Sequence, residues 1–302
     1  MKHRCAVALM AALVLAILCP AKAVLAQPAA TTRPAAAKLS EQINPRVVFK
    51  PAKEATDFHF AIVADRTGGE RKGVFDRTLD DVNLLVPELT MCVGDLVEGS
   101  GANPAAAAVE FDDMQAKVAK LTMPMFYTVG NHDFLTENHR AVWTQRFGKP
   151  YYHFVYRSVL FVVMCSMDPD VSIGKVQAQY VVDTLKANKD VRWTFVFLHH
   201  PLWLGAGQGG AEGWDAVEAA LKGRNYTVFA GHTHNYLYSQ RDKMNYFILA
   251  TSGGASMATG PTTTQFDHFV WVTVTDNGPV IANIMSDGVY GTDPKTTPIM
   301  GK

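Results

Sequence analysis

Met125-Phe126-Tyr127-Thr128-Val129-Gly130-Asn131-His132-Asp133 is a short apolar, β-branched and aromatic run, broken by a glycine and followed by three polar residues. Such a run reads as a buried strand, and the glycine marks where it ends. Open α/β sheets place their sites at the carboxyl edge of the strands. Asn131 offers a neutral amide oxygen, His132 an imidazole that exchanges a proton near neutral pH, and Asp133 a carboxylate able to orient it. Alone, Asn-His-Asp suits a solvated turn equally well. It gains weight because the same pattern, an apolar run leading to polar ligand-type residues, recurs along the chain.

Upstream, residues 58–64 form an apolar strand ending in Asp65, and residues 89–93 another ending in Gly94-Asp95. Between them, Val74, Phe75, Thr78, Leu79, Val82 and Leu85 fall at near-helical spacing over 74–86, with Pro87 behind. A second helix is expected over 105–121, with Val109, Met114, Val118 and Leu121 as its buried stripe. Strand and helix thus alternate, as in parallel crossover units. Downstream, Phe147-Gly148-Lys149-Pro150 is a turn, and residues 151–156 and 159–164 read as a hairpin bent at Arg157-Ser158. A polar-faced helix over 175–187 leads to a strand at 193–198 ending in His199-His200-Pro201. The glycine-rich stretch 205–213 reads as a lid, a substrate loop or a plain connection. Residues 226–230 end in Gly231-His232-Thr233-His234, and strands at 236–240, 245–250, 266–275 and 280–285 make the tail mostly β.

The amino terminus carries Lys2, His3 and Arg4, an apolar core over 6–18, and small residues at Ala21-Lys22-Ala23 and Val24-Leu25-Ala26. That is the pattern of a signal peptide over 1–26, too short and too soon interrupted for a retained membrane span. Leu18 before Cys19 does not fit a lipoprotein cleavage box. A flexible linker over 27–55 and a domain over 56–302 are expected, in a protein exported to the periplasm or beyond the cell. Lys and Arg together number 28, as do Asp and Glu, so no basic patch for nucleic acid is evident. Cys92 and Cys165 would remain after cleavage; export permits a disulfide between them, while their apolar surroundings favour two buried thiols.

Asp65, Asp95, Asn131, His199 and the pair His232/His234 all stand where an apolar run ends. If the strands lie side by side, these ends share one rim. Carboxylate, amide and imidazole without thiolate suit zinc, iron or manganese. One shared carboxylate would hold two ions roughly 3.5–4 Å apart, as phosphate-ester hydrolysis requires. His132, beside a proposed ligand, is placed to protonate the departing alkoxide.

In Gly94-Asp95, Gly130-Asn131-His132-Asp133, His199-His200-Pro201 and Gly231-His232-Thr233-His234, the chain resembles the calcineurin-like metallophosphoesterase family, in the superfamily that includes purple acid phosphatases. The resemblance implies an α/β fold, metallo-dependent phosphatase-like, in which two mixed β-sheets pack as a sandwich with flanking helices. It implies Asp95 as a bridging ligand, with Asn131, His199 and His232 completing one metal site and Asp65 and His234 belonging to the other. The family's first motif is usually Asp-x-His; here it is Asp65-Arg66-Thr67. Purple acid phosphatases, which also lack that histidine, recruit a tyrosine three residues after the bridging aspartate, where this chain has Glu98. Glu98 is therefore either the substitute ligand or an acid supporting the ligands from behind. Arg66 is either a fork for the substrate phosphate or a surface charge.

The expected protein is an exported hydrolase of a small phosphomonoester or phosphodiester, with His132, Asp133 and Arg66 as catalytic residues. Its rival is a non-catalytic metal- or phosphate-binding protein with a weakened first site.

Overall fold

The computed structural model describes residues 57–205, 212–257, 260, 263–285 and 288–293. The expected signal peptide, the linker and most of the glycine-rich 205–213 stretch lie outside the described residues.

The first half alternates as its hydrophobic pattern requires: β1 (Phe58–Val63), α1 (Val74–Leu85), β2 (Leu89–Cys92), α2 (Pro104–Val118) and β3 (Met125–Phe126). Then follow α3 (Glu137–Phe147), the hairpin β4 (Tyr152–Tyr156) and β5 (Val159–Val163), and the small pair β6 (Met167–Asp168) and β7 (Ser172–Ile173). Next come α4 (Lys175–Ala187), β8 (Trp193–Phe197), a 3-10 turn (Leu202–Gly205), α5 (Glu212–Leu221) and β9 (Tyr226–Ala230). The tail is β10 (Leu237–Arg241), β11 (Met244–Ile248), β12 (Phe269–Thr275), β13 (Gly278–Met285) and β14 (Gly288–Tyr290).

These strands make two six-stranded mixed sheets, in the orders β14-β13-β12-β1-β2-β3 and β10-β11-β9-β8-β5-β4. β1, β2 and β3 run parallel in the first, and β5, β8, β9 and β11 in the second. Alternate residues of the central strands point to opposite faces. Phe58, Phe60 and Ile62 of β1 enter a core shared with Phe161, Phe195 and Phe229 of the other sheet, while Ala61 and Val63 join α1 and α2 on the outside. The Phe60 ring meets Phe161 and Phe195 edge-on, at 5.2 and 4.9 Å. Leu160, Val162 and Val196 on the outer face of the second sheet pack with Val181 of α4 and Val217 of α5. Strands buried on both faces are why their sequences read as unbroken apolar runs.

Several local expectations shift. The buried stripe of α2 is Ala107, Phe111, Met114 and Val118, and Val109 is 65% exposed. Asn103 caps the helix by accepting the Ala106 N–H, and from that start Val109 falls off the inward face. Leu121 lies beyond the helix end, and Leu85 of α1 is exposed. Helices α3 and α5 had no counterpart in the sequence reading: α3 buries only His139, Val142 and Trp143, and α5 follows directly on the glycines. Arg157 and Ser158 do form the hairpin bend, both with positive φ, as a primed turn requires. Cys92 and Cys165 are both free and buried.

His268, just before β12, is 2% exposed. Its Nδ1 lies 2.8 Å from Asn283 Oδ1, and its Nε2 accepts the Ala250 N–H at 3.1 Å. A second ring proton would therefore face a donor. Burial holds the imidazole down to about 4, whereas an unfolded chain takes up the proton near 6.5. The stability from neutral His268 is present above the unfolded pKa and lost as pH falls from about 6.5 to about 4. At about 1.4 kcal/mol per pH unit, that loss is roughly 3 kcal/mol. Urea unfolding at pH 7 and pH 4.5 should show its share, and His268→Gln should change the difference by about that amount. An undiminished slope in the variant would assign it to other groups.

Candidate metal centre

The proposed ligands come from both sheets. Asp65 and Asp95 follow β1 and β2, and Asn131 lies downstream of β3; His199 and His232 follow β8 and β9 in the other sheet. The ends thus converge because two sheets face each other, not because the strands stand in one row. His199 is the hub: its Nε2 lies 2.9 Å from Asn131 Oδ1 and 3.2 Å from Asp95 Oδ2. Asn131 Oδ1 also lies 2.9 Å from His232 Nδ1. Asp65 Oδ1 is 3.7 Å from His234 Nε2 and 3.8 Å from His199 Nδ1.

Two glycines permit this crowding. A Cβ on Gly130 would stand 2.1 Å from Asp95 Oδ1, and one on Gly231 2.3 Å from Asp65 Oδ2. The glycine before each ligand motif is thus a matter of clearance for the carboxylates. Asp95, His232 and His234 themselves have φ values of 56°, 73° and 53°, a region costly for residues with side chains and concentrated at functional sites.

The backbone sets which ring nitrogens face inward. His199 Nδ1 lies 2.8 Å from the Val93 carbonyl and His234 Nδ1 2.8 Å from the Ala255 carbonyl, so each presents Nε2 as the free donor atom. His232 and Asp65 are joined through the His232 N–H, which donates to Asp65 Oδ1 at 3.0 Å.

Two carboxylates this deeply buried are in electrostatic conflict. Burial pushes Asp65 well above the usual carboxylate range, and Asp95 nearby adds to that. Burial opposes the ionised form of Asp95 as well, but His199 overrides it and holds Asp95 low. His199 is correspondingly raised by Asp95 despite its own burial. Burial, with His199 beside it, lowers His232 to about 4, and burial also lowers His234, so both offer lone pairs at neutral pH. Asp65 Oδ2 is buried and has no hydrogen-bond partner among the described residues. An orphaned carboxylate oxygen next to a second carboxylate and inward lone pairs is a donor set that fits a divalent cation. Asp65, Asp95 and His199 form one group of donor atoms within 4.8 Å of one another, and His199, His200 and His232 another.

Five further residues occupy places that the sequence did not disclose. The Asp133 carboxylate makes no hydrogen bond to the His132 ring among the described residues. Its Oδ2 accepts the N–H groups of Asp95 and Gly130 at 2.9 and 2.8 Å, and its Oδ1 those of Leu96 and Val97 at 2.8 and 3.1 Å. It pins the Asp95 loop to the Asn131 loop. His132 is oriented instead by the Glu98 carbonyl, 2.7 Å from its Nδ1, while its N–H donates to Asp95 Oδ1. Arg66 is no open fork: it is 3% exposed and its guanidinium donates to the Leu96 carbonyl, Glu70 and Asp113. Glu98 turns its carboxylate to the N–H groups of Gly69 and Glu70, at 3.0 and 2.6 Å. Thr67 Oγ1 lies 2.8 and 2.6 Å from the carbonyls of Asp95 and Val97, which share its one proton. The backbone facing His234 is that of Gly68, where a Cβ would stand 3.0 Å from the imidazole.

Asp133→Asn should therefore act on stability. One amide nitrogen would face two N–H donors, and leaving them unsatisfied costs about 2–6 kcal/mol. Denaturant unfolding would measure this. A loss of turnover with unchanged stability would return Asp133 to the role of orienting His132 expected from the sequence.

In the sequence His200 appears only within the His199-His200-Pro201 motif, yet it is 4% exposed and its ring lies 4.2 Å from that of His232. Burial, reinforced by His199 and His232, pushes it down to about 3. The doubled histidine was its only sequence signal.

Two packed mixed sheets, helices outside, and an acid–imidazole cluster at the strand ends define the metallo-dependent phosphatase architecture. The model of the calcineurin-like phosphoesterase family matches residues 54–236, and the chain belongs to that family. No curated protein matches the chain. Among solved structures, it is similar to a dimetal phosphatase from Danio rerio at 14% identity and TM-score 0.58, over 75% of this chain and 95% of that one. It is also similar to the purple acid phosphatase PPD1 from yellow lupin seeds, at 15% identity and TM-score 0.59, over 81% of this chain and 56% of the other. A third similar structure is GAP50, the anchor in the inner membrane complex of Plasmodium, at 14% identity and TM-score 0.57, over 80% and 90% of the two chains. No helix among the described residues is long and apolar enough to cross a membrane.

Proposed function

We propose that this protein is an exported phosphoesterase that hydrolyses a small phosphomonoester or phosphodiester at a centre of two divalent or trivalent ions. The observation that carries the reading is the buried pair Asp65 and Asp95, with an unpartnered carboxylate oxygen and the His199 imidazole against both. Asp95 would be shared, with Asn131, His199 and His232 completing one site and Asp65 and His234 serving the other. Bound there, zinc, iron or manganese would polarise phosphoryl oxygens and lower the pKa of a water.

The remaining work falls to the chain's own side chains. Asn131 supplies a neutral oxygen between His199 and His232, adding no negative charge against the ester. With Nδ1 held by the Glu98 carbonyl, His132 takes up and returns its proton at Nε2, which serves the leaving oxygen. Glu98 supports His132 through its carbonyl and the Gly69–Glu70 turn through its carboxylate.

With Thr67 turned to backbone carbonyls, the Asp65–His234 side has fewer protein ligands than its neighbour. The expected result of calorimetric metal titration is one tightly held ion and one that exchanges readily. Aryl phosphate mono- and diesters should be hydrolysed faster as divalent metal is added. Absence of metal binding, or binding without turnover of any ester, would replace this reading with that of a non-catalytic binding protein.

A further inference from the structure

The segment after β8 presents two histidines to the centre, and only His199 is accounted for as a ligand. His200 N–H donates to Ser166 Oγ at 2.9 Å, and the same oxygen lies 2.9 Å from His200 Nδ1. Ser166 Oγ is thus already accepting when it meets the ring. Its own proton has one partner among the described residues, the Nδ1 lone pair. That choice makes His200 the tautomer with its proton on Nε2. The ring is otherwise enclosed, with His199 and His232 rings at 5.0 and 4.2 Å, and Nε2 has no protein hydrogen-bond partner among the described residues.

An imidazole nitrogen that carries a proton cannot ligate a cation, so nearness to His199 and His232 does not make His200 a third imidazole ligand. It places an N–H donor beside the ligands, within reach of an anion that binds there. Arg66 would have been the obvious donor, but its guanidinium is committed to Glu70, Asp113 and the Leu96 carbonyl. We propose that His200, held in this tautomer by Ser166, donates its Nε2 proton in a hydrogen bond to a phosphoryl oxygen of the substrate. His200 is then a substrate-contacting residue and Ser166 a positioning residue. The inference rests on the phosphoesterase reading above and adds to it the group that grips the phosphoryl oxygens.

The test uses zinc-loaded protein, which is diamagnetic, and inorganic phosphate as the probe. Nitrogen-15 NMR of the ring should find His200 Nε2 protonated and Nδ1 unprotonated; the opposite tautomer overturns the proposal. His200→Phe removes the donor while keeping a ring. It should weaken phosphate binding by calorimetry, and raise KM for an aryl phosphate, about tenfold to a hundredfold, the usual effect of losing a hydrogen bond to a charged group. Zinc affinity should stay the same. His200→Gln, which offers an amide N–H at similar reach, should restore part of the loss. If His200→Phe does not fold, His200→Gln and Ser166→Ala decide the matter. The latter should produce a mixture of tautomers and a several-fold weaker phosphate affinity, and unchanged affinity in both would overturn the proposal. Zinc affinity falling in step with phosphate affinity would make His200 a ligand instead. Wild-type protein that binds zinc but neither phosphate nor any ester would overturn the phosphoesterase reading and this one together. Ester hydrolysis that His200→Phe leaves intact would overturn the role of His200 alone.

Discussion

Asp95→Asn should leave a folded protein that hydrolyses nothing measurable. Asparagine keeps the shape, accepts the His132 N–H as Asp95 Oδ1 does, and tolerates the positive φ of 56° at this position. What disappears is the negative charge that His199 Nε2 meets at 3.2 Å and that two ions would share. Losing that charge also leaves the buried His199 without its ionised partner, so metal-free thermal stability should fall while the fold persists. Metal affinity should fall by more than about 10²-fold, since even residues that merely orient ligands cost about 10–100-fold. Calorimetry with metal and a phosphate-release assay would measure both effects. If the variant retains both ions and normal turnover, the centre lies elsewhere.

His132→Ala should separate chemistry from metal binding. The residue's backbone N–H, which the substitution keeps, is what contacts Asp95; the side chain meets the Glu98 carbonyl. Metal content should therefore persist. Turnover of esters with poor leaving groups should fall by roughly 10²–10⁴, the range for a positioned acid or base. For leaving groups that depart as stable anions the fall should be much smaller, because no proton is needed. Equal losses across a leaving-group series would remove His132 from proton transfer and leave it a support for the Glu98 loop.

What was legible in the sequence was local. Strands buried on both faces read as unbroken apolar runs, and a ligand motif announces itself by a glycine beside a polar residue, because both signals come from adjacent positions. Gly130 and Gly231 are there because a carboxylate fills the space a Cβ would take, so clearance left its mark on the chain. The hairpin at Arg157-Ser158 and the bounds of α4 were set by equally short-range preferences.

Roles that depend on partners far along the chain were not legible. Asp133 stands beside His132 in sequence, which invited the idea that it orients the ring. Its four hydrogen bonds instead go to Gly130 and to residues 95–97, which only the pairing of β2 with β3 brings within reach. Arg66 reads as a phosphate fork or a surface charge until Asp113 of α2 and the Leu96 carbonyl claim it. Helix α3, with few apolar residues, is packed through Trp143 against Phe111 and Phe134 rather than marked by a long apolar stripe. The sequence alone determined which residues stand at the strand ends and what donor chemistry they carry. The tertiary structure decided which of them face the centre and which brace its loops, because a buried polar group goes where its unsatisfied partners are, not to its neighbour in the chain.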